Sequence, residues 1–159
     1  MVHRCCTMRY MRPLTVSTDI PRPREEVYDY LDVLANHEQF TDHMMRNWRL
    51  SGPPRGVGAK VTVDAVLGGR SEPVDVEVIE AEAPCRNVER NTGAGGKRVG
   101  TGSYTLESLP GGHTRVTFEY AWQSAPLSER LAAPIIRIFM RRALEQAMAR
   151  LGEELTARA

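Results

Sequence analysis

No stretch of this chain is long and apolar enough to cross a bilayer. The longest apolar cluster, AAPIIRIFM (132–140), is broken by Pro134 and Arg137, far short of the roughly 20 residues a spanning helix needs. The N-terminal MVHRCCTMRYM has basic residues but no apolar core of signal-peptide length. Together these absences give the expectation of a soluble, cytoplasmic protein without stable membrane insertion. Cysteine is scarce and odd in number: Cys5, Cys6 and Cys85, two of them adjacent. That is no disulfide framework, and it fits a reducing compartment. An excess of one charge is also missing. With 21 basic and 20 acidic side chains the formal net charge is +1, so no overall field argues for nucleic acid or an acidic partner. Internal repeats and low-complexity segments are absent.

Several chemistries are excluded in the same way. His3, Cys5 and Cys6 are soft ligands with no fourth partner at a recognised spacing, so no metal is expected. GAGGK (93–97) lacks the spacing of a phosphate-binding Walker loop and joins two strands, which makes it a hairpin turn. No Ser-His-Asp or Cys-His arrangement is recognisable, and no cofactor is implied.

What is present is a single domain's worth of chain, 159 residues, enough to bury a core without staples. LTVSTDI (14–20) alternates and is β-branched, a strand pattern. Prolines at 21 and 23 and acids at 25 and 26 then mark a helix over 23–35, with Val27, Tyr28, Leu31 and Leu34 on one face. NHEQFTDH (36–43) starts with an N-capping Asn36 and makes one or two short turns. Six strands follow at 45–51, 58–67, 72–81, 85–92, 97–108 and 114–124, separated by Gly- and Pro-rich turns. Their spacing predicts consecutive antiparallel hairpins. From Pro126 on, the sequence reads as one long helix, bent near Pro134. Its stripe of Leu131, Ile135, Ile138, Phe139, Ala143, Ala147 and Leu151 lies beside a second of Ile136, Met140, Leu144 and Met148. A curved sheet with this helix laid across it would bury both apolar faces. Arg137, Arg141, Arg142 and Arg150 would form the helix's solvated face. Residues 1–12 read as a flexible tail and 13–157 as the domain.

The last strand raises the functional question. In RVTFEYAWQ (115–123) every second residue is apolar and growing in size: Val116, Phe118, Tyr120, Trp122. A row ending in Tyr and Trp carries polar tips that want partners when buried.

Three segments carry a family resemblance. TDIPRPREEVYDYLDVLANHEQF (18–40), GVGAKVTVDA (56–65) and GTGSYTLESLPGGHTRVTFEYAW (100–122) with the helix behind it resemble the START-like superfamily, also called SRPBCC or helix-grip, and within it the bacterial polyketide cyclase/dehydrase-like proteins. The resemblance spans about 14–155. It implies an α+β helix-grip fold of the START-like/Bet-v-like kind: a curved antiparallel seven-stranded sheet, two short helices and one long C-terminal helix. It also implies a cavity between sheet and helix. Phe118, Tyr120 and Trp122 would line it, with Tyr104 and Leu106 from the neighbouring strand. Val63 and Val76 would come from farther round the sheet, and Ile136, Met140 and Leu144 from the helix above. CRNVERNTGAGG (85–96) departs from the family by being more polar there.

Two strand phases remain open in that segment. If apolar residues face inward, Val88 points in and Glu89 out. If the family's usual phase holds, Asn87, Glu89 and Asn91 face the cavity, with Glu89 a ligand-binding candidate. His37 and His43 flank the short turns that shape the cavity mouth in this family, where a near-neutral His can move protons. The function expected is therefore binding of an apolar small molecule, of polyketide, lipid or isoprenoid type, by a monomer or homodimer. A cofactor-free aromatic polyketide cyclase/dehydratase is the alternative, and a stress-related or protein-partner module without a specific ligand is a third.

Overall fold

The computed structural model describes residues 11–158. Seven strands form one antiparallel sheet: β1 (Leu14–Ile20), β2 (Met45–Ser51), β3 (Lys60–Leu67), β4 (Arg70–Glu82), β5 (Arg86–Gly93), β6 (Arg98–Leu109) and β7 (His113–Ser124). Their spatial order is β1-β7-β6-β5-β4-β3-β2. The chain thus runs as a meander from β2 to β7, and β1 is added at the far edge. Between β1 and β2 come helix α1 (Arg24–Asp32), a 3-10 turn (Leu34–His37) and the short helix α2 (Glu38–Thr41); after β7 come α3 (Leu127–Leu131) and α4 (Ala133–Ala157). This is the helix-grip arrangement.

The two-residue period of β1 and β7 does what alternation requires. Leu14, Val16 and Ile20 are buried, and they pair with Tyr120, Phe118 and Thr114 of β7. β4 and β5 change register between Val78 and Glu80, an irregularity of the kind that bends a strand and adds twist. The fragment CRNVERNTGAGG folds as expected in one respect, because a 3-10 turn at Ala94–Gly96 closes the β5–β6 hairpin.

α1 ends sooner than its periodicity predicts. Asn36 does not cap a helix: its Nδ2 donates to the Tyr30 carbonyl at 2.9 Å, while the Tyr30 hydroxyl donates to the Asn36 carbonyl at 3.2 Å. These bonds fold the chain back and place the next residue, His37, under the sheet. Asp32 is buried where Arg55 Nε reaches it at 2.8 Å and the Gly56 amide at 3.2 Å, tying the β2–β3 loop to α1.

The C-terminal segment is a long helix interrupted near Pro134 as expected, but its apolar stripe is not buried along its whole length. It breaks at Ala132, with Pro134 in the first turn of α4, where a missing N–H costs nothing. Only the second half of the stripe is core: Leu144, Ala147, Met148, Leu151 and Leu155 are buried against β1, α1 and α2, whereas Leu131, Ile135, Ile138 and Phe139 are exposed, Leu131 by 78%. Two polar tethers lie in the packed half as well. His43 Nε2 donates to the Ala143 carbonyl at 2.8 Å, and Arg22 Nε donates to that of Leu155 at 3.1 Å. The first half of α4 therefore leaves its large apolar residues in solvent, with Ala133 and Ile136 packed against Met11, Ala125 and Trp122.

Most of the expected tail lies outside the described residues. Met11, however, is buried with Ala125 and Ala133, and the Arg12 carbonyl accepts from Arg137. Of the other arginines, Arg141 and Arg142 are exposed as expected, and Arg150 is half-buried. Arg150 pairs with Asp42, and Arg141 lies 4.0 Å from Glu145.

Candidate functional site

The concave face holds two apolar clusters separated by one polar strand. β1, β7 and β6 with α1, α2 and α4 form the larger cluster, which contains Tyr104, Leu106, Phe118, Tyr120 and Leu144, with half-buried Trp122 and Met140 packed against it. β3 and β4 with Leu34 form the smaller, which contains Val63 and Val76. Ile136 sits apart, half-buried against Met11, Ala125 and Ala133, with Trp122 touching both its group and the larger cluster. The sequence-predicted lining is therefore spread over three groups of contacts.

β5 runs between the two main clusters and settles the open phase. Asn87, Glu89 and Asn91 are all buried, and they pair across β6 with Tyr104, Gly102 and Gly100. Val88 is buried too, on the opposite side of the strand. Glu89 thus faces inward, as the family phase requires.

Two glycines make room for this. A Cβ at Gly100 would lie 2.4 Å from the Tyr120 hydroxyl oxygen, and one at Gly102 would lie 2.9 Å from the Phe118 ring. The rings from β7 lie over backbone that bears no side chain, which is a strand glycine's common purpose. An aromatic chain continues from there. Tyr104 and Phe118 have centroids 4.7 Å apart, Tyr120 and Trp122 meet edge-on at 4.9 Å, and His37 meets Tyr104 edge-on at 5.5 Å.

His37 is buried by its contacts rather than standing at a mouth. Its Nε2 lies 2.7 Å from the Leu31 carbonyl. A carbonyl only accepts, so Nε2 carries a proton. That leaves Nδ1 facing Glu89 Oε1 at 3.3 Å, an ion-pair contact without hydrogen-bond geometry. Burial holds the Glu89 carboxyl above its ordinary 4.5, while His37 pulls it back down. Burial likewise raises Tyr104 well above its ordinary range, with the Glu89 charge adding to it. Beside Glu89, neither polar atom of the Asn87 amide has a hydrogen bond of good geometry, although the amide stands near enough to the Tyr28 hydroxyl to counter the rise that burial gives that phenol.

A second polar feature lies at the sheet's open end and was not foreseen. Arg98 on β6 donates through Nε to Glu129 Oε2 at 2.8 Å, through Nη2 to Glu129 Oε1, and through Nη1 to Glu72 on β4. This fork ties α3 to the sheet. Tyr120 lies within its field, and burial pushes its phenol up to about 12. Surface grooves also run along α4 beside β1, one lined by Thr15, Ser17, Arg141 and Glu145 and another by Asp19, Gly152 and Thr156; no aromatic of the concave row lines either. Among the described residues no group of three or more His, Cys, Asp or Glu could hold a metal, and no helix is long and apolar enough to cross a membrane.

A family model described as "Polyketide cyclase / dehydrase and lipid transport" matches residues 11–156. No curated protein matches the sequence. Among solved structures, TTHA0849 of Thermus thermophilus is similar with a TM-score of 0.71 at 17% identity, over 92% of this chain and 98% of that one. DynU16, a protein in the dynemicin biosynthetic locus, superposes with a TM-score of 0.63 at 21% identity, over 91% of this chain but 47% of its own. Ara h 8.0201 gives 0.62 at 13% identity, over 91% and 98%. At these identities the likeness shows the fold.

Proposed function

The chain belongs to the polyketide cyclase/dehydrase and lipid transport family, and on that premise we propose that it binds an apolar small molecule of polyketide, lipid or isoprenoid type between the concave face of its sheet and α4. One observation carries the reading. The aromatic row of Tyr104, Phe118 and Tyr120 runs out to half-buried Trp122 and Met140, where Ile135, Ile138 and Phe139 of α4 are exposed. An apolar wall with a few convergent polar groups is the usual form of a small-molecule site. The ligand would enter there, past α3, and slide along the aromatic row toward β5.

A second reading, cofactor-free cyclisation or dehydration of a polyketide, is favoured by the ionisable pair that β5 and the 3-10 turn hold inside. Moving a proton at carbon or oxygen requires such a group, with a pKa displaced by burial. DynU16, placed by its own description in a biosynthetic locus, is consistent with either reading.

The test is titration of the full chain with a naphthalene fluorophore and, separately, with a fatty acid. Saturable one-to-one binding that changes tryptophan emission, and that weakens in Trp122→Ala and Met140→Ala, is expected. Binding unaffected by both substitutions, or no saturable binding of either probe, would overturn the proposal.

A further inference from the structure

Of the seven large apolar side chains exposed among the described residues, five fall within 127–139: Leu127, Leu131, Ile135, Ile138 and Phe139, between 44% and 78% exposed. Single exposed apolar residues are ordinary, but a contiguous run of them marks a contact surface. Helix geometry makes this run a face. Ile135, Ile138, Phe139 and Arg142 follow at three- and four-residue steps, so they share one side of α4. Ala133, Leu144, Ala147 and Met148 occupy the opposite side and are buried. α3 buries no residue of its own and puts Leu127 and Leu131 immediately ahead of the face.

The surroundings of the face are basic. Arg130, Arg137, Arg141 and Arg142 lie within 127–142 against a single acid, Glu129, which the Arg98 fork already holds. The next acid, Glu145, follows one turn on, 4.0 Å from Arg141. Arg130, Arg137 and Arg141 also donate to the carbonyls of Ala125, Arg12 and Thr15, which orient the guanidinium groups without cancelling their charge. Arg142 is exposed within the apolar row itself. The whole chain carries only +1, so this concentration of charge is local, and it decides the occupant. A second copy laid on the face brings arginine against arginine. The ten residues ahead of Met11 hold Arg4 and Arg9 and no acid, so they add to the same charge. An anionic bilayer surface supplies what both lack, phosphates for the guanidinium groups and an apolar boundary for the side chains between them.

We propose that α3 and the first half of α4 form a docking face for the surface of an anionic membrane. The protein lies on the bilayer reversibly, with Leu131, Ile135, Ile138 and Phe139 seated at the boundary between headgroups and acyl chains. The arginine stems run along the apolar surface while their guanidinium groups reach lipid phosphates. Nothing crosses the bilayer, in keeping with the absence of a spanning helix among the described residues. The face is complete without a ligand against the sheet, so this inference stands or falls separately from the small-molecule reading.

The test is co-sedimentation of the full chain with vesicles of phosphatidylcholine alone and of phosphatidylcholine mixed with phosphatidylglycerol. At low salt the anionic vesicles should bind it at least about tenfold more strongly, because each basic side chain near such a surface contributes about fivefold. High salt should shrink that difference. Arg142→Gln should weaken binding to the anionic vesicles about fivefold, and Ile135→Ser with Phe139→Ser at least about tenfold. Leu50→Ser should change nothing, since Leu50 is as exposed as Ile138 but lies on β2 at the opposite edge of the sheet from β1. Equal binding to both vesicles, binding to neither, or binding that survives the double substitution would overturn the proposal. A dimer seen by analytical ultracentrifugation and dispersed by the double substitution, with no vesicle binding, would overturn it too and assign the face to a second copy. Should the double variant unfold, the lipid and salt dependence and Arg142→Gln still decide.

Discussion

Leu151 and Ile138 lie on the same predicted stripe of the last helix, and the structure gives them opposite weights. Leu151 is 0% exposed and Ile138 54%. Leu151→Ala removes three carbons from a site with no access to water, worth roughly 2 kcal/mol in transfer alone at about 0.8 kcal/mol per methylene. The unfilled cavity adds to it, giving about 3–4 kcal/mol. Ile138→Ala deletes a side chain that already keeps half its surface in water and should cost under about 0.7 kcal/mol. For a domain of this size the first corresponds to a melting point lower by about 10 °C, the second by about 2 °C or less. Urea unfolding followed by far-UV circular dichroism measures both, and unchanged m-values would license the comparison. Comparable losses at the two positions would refute the half-packed helix and restore a helix buried along its whole length.

Arg98→Met should lower stability by about 1–3 kcal/mol, since it leaves Glu129 and Glu72 facing each other without their cation; hydrogen exchange should quicken in 127–131 and stay unchanged in 144–155, and uniform exchange throughout would show that the fork does not tether α3. Gly102→Ala should cost about 1–3 kcal/mol and alter near-UV dichroism, because the new Cβ would sit 2.9 Å from the Phe118 ring; a silent substitution would mean that the ring has room. The raised carboxyl of Glu89 stabilises the fold fully below its ordinary 4.5, and that contribution is lost as pH rises through the folded value. Glu89→Gln should therefore gain on the wild type as pH climbs from 4 toward 7, whereas a stability difference that stays flat over that interval would show that Glu89 is not displaced.

Much of the architecture was legible because β-strands announce themselves locally. Alternation in LTVSTDI and RVTFEYAWQ fixed which residues are buried, and glycine-rich turns fixed the hairpins. The last helix was harder. Its apolar arc is wide, and periodicity reports which residues are apolar, not which neighbours exist to cover them; the break at Ala132 and the exposure of Ile135, Ile138 and Phe139 depend on tertiary contacts. β5 was ambiguous for a different reason. In CRNVERNTGAGG one polar row faces the interior and an apolar residue is buried on the other side, so alternation alone could not choose. A signal was present one strand later, in the paired Gly100 and Gly102, because glycines two apart on a face mark the place where a neighbour's rings lie down. His37 was legible as a candidate but not as Glu89's partner, because the two are far apart in sequence and meet only through the fold. The Arg98 fork left no local trace at all.

The most direct test is a structure of the chain with the naphthalene fluorophore bound. The probe should lie under α4 against Phe118 and Tyr120. A probe seated in the outer groove between β1 and α4, against Thr15, Ser17 and Glu145, would contradict a ligand site on the concave face.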